Sequence, residues 1–380
     1  MPQLLEVVHP APGFRAVVTL KKDLDDLPKA GAYLPTQRGM DVLHDVARQL
    51  EPTATARARL ITGTYGTGKS HLALLMANLY LGHGADDRLQ PLWERLRGSQ
   101  WAGRAAELEK AARSLDRPYL VVLVEGPQPD FDGALLRHLE HALQAAGVTD
   151  HMPATYYRAA VERLQQLLSD QAASERLRQS LDRAGVADVQ ALRAQLEEAS
   201  PAAYEQFQAL HRLVCFGANF DPSAATQADE VYAEVAGKLR QAGTHSGIVV
   251  LWDEFGRMME LVAGEPSGKI GAGVQRFAES CGRAETGLHL YLVCHRSLDS
   301  YVALAGESRR LPGAQRQLWE EEWQKVSGRF QVWHLESKPN ELFSLIDQVL
   351  VQRGEAWTVL TADHRPEFDD LTEQAHRLEL

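Results

Sequence analysis

A glycine-rich octapeptide between a short apolar run and a longer one constrains this chain more than any other feature. Residues 58–63 are typical of a short buried strand, and residues 70–82 have the length and apolar content of a helix. Glycine fills positions that a core would give to larger side chains, which is useful where the backbone must wrap a small anion. The octapeptide consists of Gly63, Thr64, Tyr65, Gly66, Thr67, Gly68, Lys69 and Ser70.

This octapeptide matches the phosphate-binding pattern G-x-x-x-x-G-K-[ST] at every fixed position, with the strand before it and the helix after it that the pattern requires. Its backbone N–H groups and the positive end of the following helix are expected to surround the phosphates of ATP or ADP. Lys69 would reach the β- and γ-phosphates, the Ser70 hydroxyl would ligate Mg²⁺, and the backbone N–H of His71 would contact the α-phosphate. The alternative is a tight strand-to-helix turn that uses glycine and binds nothing.

A second predicted strand, residues 246–252, leads into the acidic pair Asp253 and Glu254. Asp253 is expected to hold Mg²⁺ through its water shell, and Glu254 to polarise the attacking water as a general base. The pair favours an ATPase of the additional-strand type over a GTPase or a kinase. Two solvated acids at a strand end remain the alternative.

Two further residues resemble functional positions of AAA+ ATPases. His295 ends the predicted strand 287–295, where those ATPases carry a polar sensor of the γ-phosphate, and Ser297 is the second choice. Arg329 lies at the end of the predicted helix 316–330, where they carry an arginine finger that reaches a neighbouring subunit. A plain strand-end histidine and an arginine that caps a helix remain the alternatives.

The order of these motifs resembles the N-terminal ATPase region of large bacterial phage-defence ATPases of the BREX and phage-growth-limitation type. The resemblance covers about residues 60–335, and its phrases are TYGTGKSHLALLMANL, LWDEFGRMMEL, VCHRSLDSY and EWQKVSGRF. It implies work in a multi-protein anti-phage system, with self-association or other defence proteins as partners and with DNA as a possible one. This chain departs from that group's pattern in two ways. Members of the group are usually much longer, and the glycine motif and the acidic pair are much further apart here than in a compact AAA+ core.

Alternating strands and helices predict an α/β fold with a parallel sheet flanked by helices. The resemblance implies that this fold is of the P-loop NTPase (AAA+-like) type. Residues 1–55 would pack on the core as an N-terminal segment, in which 17–22 is typical of a strand and 38–50 of a helix. Residues 56–153 and 213–335 would form the ATPase core. Residues 154–212 lack strand-like runs and predict a helical insertion, and 336–380 would begin a helical lid with a helix at 340–354.

Composition bears mainly on partners and location. The formal net charge of −11 does not favour general polyanion binding, so DNA contact would need a local basic patch or another protein. The three cysteines form no C-x-x-C pair, and no run approaches the length of a membrane span. We expect a cytoplasmic protein without membrane contact.

The function expected from the sequence is a Mg²⁺-dependent ATPase that couples hydrolysis to remodelling or sensing of DNA or DNA-bound partners. One alternative is a nucleotide-gated oligomerisation switch of the STAND type with little turnover. Another is an origin-initiator or helicase-loader ATPase.

Overall fold

The computed structural model describes residues 7–10, 17–50, 57–128, 130–220, 227–262, 269–308, 313–336, 345–346, 349–352 and 354–377 of the 380-residue chain. Its strands are β1 (Val8–Pro10), β2 (Ala58–Thr62), β3 (Leu120–Glu125), β4 (Ile248–Asp253), β5 (Leu288–Cys294), β6 (Gln331–His334) and β7 (Leu350–Gln352). The helices up to the end of the predicted insertion are α1 (Leu20–Asp23), α2 (Leu27–Gly31), α3 (Gln37–Gln49), α4 (Lys69–Tyr80), α5 (Gln90–Arg97), α6 (Ala102–Arg113), α7 (Phe131–Ala145), α8 (Ala154–Ser169), α9 (Gln171–Ser180), α10 (Val189–Glu197) and α11 (Pro201–Val214). The later helices are α12 (Ala228–Gln241), α13 (Phe255–Val262), α14 (Lys269–Cys281), α15 (Leu298–Ser308), α16 (Gly313–Ser327), α17 (Gly354–Asp363) and α18 (Arg365–Arg377).

The centre of the fold is a five-stranded parallel sheet in the order β3-β4-β5-β2-β6. Strands β2 to β5 are almost wholly buried, as their continuous apolar runs predict for a parallel sheet covered on both faces. The predicted α/β architecture with a parallel sheet flanked by helices is therefore confirmed.

The two faces of the sheet carry different helices. On one face of the sheet, odd-numbered residues of β2 to β5 pack against α3, α4, α5 and α6. This apolar core includes Ile61, Leu75 and Val293. The other core joins the opposite face to α7, α12, α14 and α16, and includes Leu60 and Phe277. The helix that follows β2 thus lies on the opposite face from the helices that connect β3, β4 and β5.

Helices α8 to α11 occupy the predicted insertion and share the second apolar core with α7. The hydroxyl of Tyr156 on α8 donates to the carbonyl of Leu136 on α7 at 2.7 Å. The side chains of Tyr204 and Phe207 on α11 are fully buried in the same core. These contacts attach the insertion firmly to the side of the sheet that carries α7.

Three predictions about elements were wrong or incomplete. Residues 17–22 do not form a strand: helix α1 begins at Leu20, whose N–H donates to the Glu125 carboxylate at 2.6 Å, a contact 105 residues away in sequence. The end of the predicted helix 340–354 contains strand β7, which pairs antiparallel with β1, while 340–344, 347–348 and 353 lie outside the described residues. Helices α5 and α6 were not predicted at all. No helix in the described part of the chain is long and apolar enough to cross a membrane.

Candidate functional site

The helix that follows β2 and the helices that follow β3, β4 and β5 lie on opposite faces of the sheet, so the carboxyl edge between β2 and β5 is a topological switch point. β2 lies next to β5, yet α4 leaves β2 on one face while the helices connecting β3, β4 and β5 lie on the other. In open parallel sheets, ligands bind outside the carboxyl ends of the strands at such a switch point. The loop that leaves β2 at this point contains residues 63–68, which we call the glycine-rich loop.

The backbone of the glycine-rich loop uses conformations that favour glycine. Gly66 and Gly68 have φ angles of +82° and +79°, and Gly68 directly precedes α4. A Cβ atom on Gly63 would lie 2.5 Å from the carbonyl oxygen of Leu335, so a side chain would displace the segment that follows β6. The Thr67 hydroxyl donates to the Thr64 carbonyl at 2.9 Å and closes the loop. The three glycines are thus required by this loop's shape.

Lys69, the first residue of α4, is buried beneath the loop. Its Nζ donates to the carbonyls of Gly63 and Thr64, both at 2.7 Å. Burial lowers the pKa of Lys69, and the charge of Asp253 raises it. Lys69 begins the helix that follows β2, and only β5 separates β2 from β4, which ends at Asp253.

The acidic pair stands at the same edge of the sheet. Asp253, the last residue of β4, is buried, and its Oδ1 accepts the N–H of Glu254 at 2.8 Å. Glu254 has a φ angle of +58°, a strained conformation for a residue with a side chain. Its carboxylate is one-third exposed and pairs with Arg257 at 3.1 Å.

His295 immediately follows β5 and contacts the glycine-rich loop. Its ring stacks on the ring of Tyr65, with centroids 3.7 Å apart, and Tyr65 is otherwise largely exposed. Burial lowers the pKa of His295, the Lys69 charge lowers it further, and the charges of Glu254 and Asp253 raise it. Neither buried ring nitrogen has a hydrogen-bond partner within the described residues. Buried polar atoms without partners are uncommon and mark a place where a ligand or water binds.

The remaining residues of the motif lie at the start of α4. Ser70 is half-buried at the second position of the helix. The Nε2 atom of His71 lies 2.6 Å from the carbonyl oxygen of Lys29, and its ring meets Tyr33 edge-on. The side chain of His71 therefore holds the N-terminal segment against α4, while its backbone remains at the helix start.

Arg329 does not join these residues within the chain. It precedes β6, whose first residue pairs with Arg59 near the start of β2, so Arg329 lies toward the amino edge of the sheet. Its guanidinium pairs with Glu279 on α14 at 3.0 Å and is half-exposed. A role at a γ-phosphate could only be in another subunit. Ser297, the second sensor candidate, accepts the N–H of Ser300 at 3.2 Å and caps the start of α15.

The structure adds two residues that the sequence did not suggest. Arg257 holds the Glu254 carboxylate, and its position one turn after the acidic pair was the available signal. The Tyr301 hydroxyl accepts the N–H of His295 at 3.3 Å and lies so close to Gly256 that a Cβ there would clash at 2.0 Å. No sequence pattern indicates this second contact, because it joins three separate elements.

Comparison with protein-family models, with curated proteins and with solved structures finds no significant match to this chain. Interpretation of the site therefore depends on its geometry. Within the described residues, no group of three or more histidine, cysteine, aspartate or glutamate side chains could hold a metal ion.

Proposed function

We propose that this chain is a Mg²⁺-dependent ATPase whose nucleotide lies against the glycine-rich loop. One observation carries the proposal. Lys69 begins the helix after β2, His295 follows β5, and Asp253 and Glu254 end or follow β4, so residues spread over more than half of the sequence lie at the carboxyl ends of three adjacent parallel strands. That edge is at the topological switch point, where α/β sheets bind ligands.

The residues present fit the triphosphate and Mg²⁺. The loop offers backbone N–H groups in glycine conformations, the start of α4 and a lysine, a combination that binds phosphate. The Ser70 hydroxyl and the Asp253 carboxylate are oxygen donors of the kind that Mg²⁺ takes, and Mg²⁺ usually needs only one or two carboxylates beside the phosphates. The bound ion would neutralise charge on the phosphates during transfer.

The strand order supports an ATPase of the additional-strand type. β5 lies between β2, which carries the glycine-rich loop, and β4, which carries the acidic pair. This extra strand places His295 between Lys69 and Glu254. We assign Glu254 as the general base for water and His295 as the group that senses the γ-phosphate, since its ring nitrogens have no other partner in the described residues.

The lysine and the glutamate each have a competing partner, and this favours a second candidate function. Lys69 donates to two carbonyls of its own loop, and Glu254 pairs with Arg257. Lys69 must leave these carbonyls before it can bind phosphate, and Glu254 must leave Arg257 before it can bind the attacking water. A switch of the STAND type, which binds ATP, assembles and turns over slowly, would use such a barrier.

The resemblance to phage-defence ATPases extends the proposal to the biological role. We propose that hydrolysis remodels or senses DNA-bound partners in a multi-protein anti-phage system. Arg329 would then complete the site of a neighbouring subunit, for which its half-exposed position at the far edge of the sheet is suitable. Phage plaque counts on cells carrying wild type, Lys69→Ala or Arg329→Ala test this extension: equal plating on all three would contradict it.

The enzymatic proposal is tested by phosphate release from ATP with and without Mg²⁺. Wild type should release phosphate only with Mg²⁺, and Lys69→Ala should not, while Lys238→Ala on α12 serves as a matched lysine control away from the site. Equal rates for wild type and Lys69→Ala would refute the ATPase. Slow release together with a mass increase in an ATP analogue, seen by light scattering, would select the switch.

A further inference from the structure

The Tyr301 side chain on α15 contacts both the residue that follows β5 and the start of α13. Its hydroxyl oxygen accepts the N–H of His295 at 3.3 Å. A Cβ atom on Gly256, the second residue of α13, would lie 2.0 Å from the same oxygen, and Tyr301 is only 4% exposed. One buried hydroxyl therefore meets the strand end that carries His295 and the helix start that directly follows Glu254.

A second contact attaches the start of α13 to the end of β5. Cys294, the last residue of β5, is buried and directly precedes His295 in the chain. Burial raises the pKa of the Cys294 thiol, and a hydrogen bond from the Gly256 backbone lowers it. The backbone of Gly256 thus approaches the thiol and the Tyr301 hydroxyl closely, which a residue with a side chain could not do at this position.

The orientation of His295 depends on contacts other than hydrogen bonds from its ring. Neither ring nitrogen has a partner within the described residues. The ring stacks on Tyr65, which belongs to the glycine-rich loop and is itself largely exposed. The bond from the His295 N–H to Tyr301 instead fixes the histidine relative to the start of α13, and so relative to Glu254.

We propose that Tyr301 is a positioning residue that holds His295 in register with Glu254, so that the histidine reaches the γ-phosphate whose attacking water the glutamate activates. This inference rests on the proposed ATPase site and adds a residue that acts through the histidine. The strength of a hydrogen bond depends steeply on its distance and angle. Loss of the Tyr301 hydroxyl should therefore weaken binding of a nucleoside triphosphate and spare binding of the diphosphate, which has no γ-phosphate.

Tyr301→Phe tests this role, because it keeps the buried ring and removes only the hydroxyl. Burial raises the pKa of Tyr301 to about 12, so the substitution changes no charge near pH 7. Tyr156→Phe on α8 is the matched control, since it removes a fully buried hydroxyl that donates to the Leu136 carbonyl at 2.7 Å. Isothermal titration calorimetry with Mg²⁺ measures the binding of ADP and of a non-hydrolysable ATP analogue to the whole chain. Circular dichroism confirms that each variant is folded.

Tyr301→Phe should bind the ATP analogue about tenfold more weakly than wild type and change the affinity for ADP by less than about twofold. Tyr156→Phe should change neither affinity. His295→Ala should show the same selective loss for the analogue. Tyr301→Phe combined with His295→Ala should bind the analogue no more weakly than His295→Ala alone, because the tyrosine acts through the histidine.

Wild-type affinity of Tyr301→Phe for both nucleotides would overturn the inference. Equal weakening for the analogue and for ADP would also overturn it, because it would show a general structural loss. A double variant that binds the analogue more weakly than His295→Ala would do the same, since Tyr301 would then act independently of the histidine. Wild type that binds neither nucleotide would contradict the proposed ATPase and this inference together, whereas a failure confined to Tyr301→Phe leaves the ATPase proposal standing.

Discussion

The buried ion pair between Asp45 and Arg59 joins the N-terminal segment to the strand that carries the glycine-rich loop. Arg59 lies in β2 and Asp45 on α3, and the two side chains are only 2% and 4% exposed. The guanidinium donates from Nε to Oδ2 at 2.7 Å and from Nη2 to Oδ1 at 3.2 Å. Burial lowers the pKa of Arg59, and the hydrogen bonds and charge of Asp45 raise it, with a net upward direction.

Asp45→Asn would leave the Arg59 charge buried without its counter-ion. Removing one partner of a buried pair costs about 3–5 kcal/mol of unfolding free energy, because the remaining charge keeps its desolvation cost without the attraction that offset it. Replacing both partners by apolar residues of similar volume is often far less damaging. We therefore expect Asp45→Leu combined with Arg59→Met to be more stable than Asp45→Asn.

Urea unfolding at pH 7, followed by fluorescence of the seven tryptophans, measures this loss. Asp41→Asn is the control on the same helix, because Asp41 pairs with Arg104, whose side chain is 44% exposed, and pairs with such an exposed partner are worth about 0–1 kcal/mol. A loss for Asp45→Asn no larger than for Asp41→Asn would refute this account of how the N-terminal segment is attached.

Four further predictions concern the site and its surroundings. Gly68→Ala should cost about 1–2 kcal/mol in urea unfolding because of its positive φ, and an unchanged midpoint would contradict this. Tyr65→Ala should slow phosphate release, while Tyr65→Phe should release phosphate at the wild-type rate, because the ring and not the hydroxyl stacks on His295. Equal rates for Tyr65→Ala and wild type would contradict a role for this stacking in phosphate release. Burial lowers the pKa of His289 well below its usual value, so its contribution to stability is full above about pH 6.5 and is lost as the pH falls toward the folded value. The free energy of unfolding of His289→Phe should therefore fall less than that of wild type between pH 7.5 and about pH 5.5. Equal decreases in the two proteins would contradict this role of His289. Arg329→Ala should reduce phosphate release only at concentrations where subunits associate, with little change in the urea midpoint; a loss independent of concentration would argue against a role in a neighbouring subunit.

Four of the five strands of the sheet could be predicted from the sequence because they are nearly continuous apolar runs. Residues 58–62, 120–125, 248–253 and 288–294 are short, apolar and bounded by turn residues, and each is a strand in the structure. The pattern alone did not give the strand order, which depends on the tertiary packing of helices on two faces.

The errors arise where a distant contact decides the local structure. Residues 17–22 have strand-like side chains, but Glu125 satisfies the first N–H of α1 and the chain turns into a helix there. Strand β7 exists because β1, more than 300 residues earlier, pairs with it. Local periodicity contains no information about either partner.

The candidate site was predictable in its residue types and not in their contacts. The motif spacing alone indicates Lys69, Ser70, Asp253 and Glu254, since each depends on a local pattern. The ion pair of Glu254 with Arg257 and the stack of Tyr65 on His295 depend on how loops from different strands meet.

The measurement that tests the central claim most directly compares ATP binding and phosphate release in Glu254→Gln. Glu260→Gln is the matched control, because Glu260 lies exposed on α13 six residues further along the chain. Glu254→Gln should bind ATP as wild type does but release phosphate about 10²–10⁴-fold more slowly, the range for loss of a general base, while Glu260→Gln should equal wild type. Phosphate release by Glu254→Gln at the rate of wild type and Glu260→Gln would contradict the account.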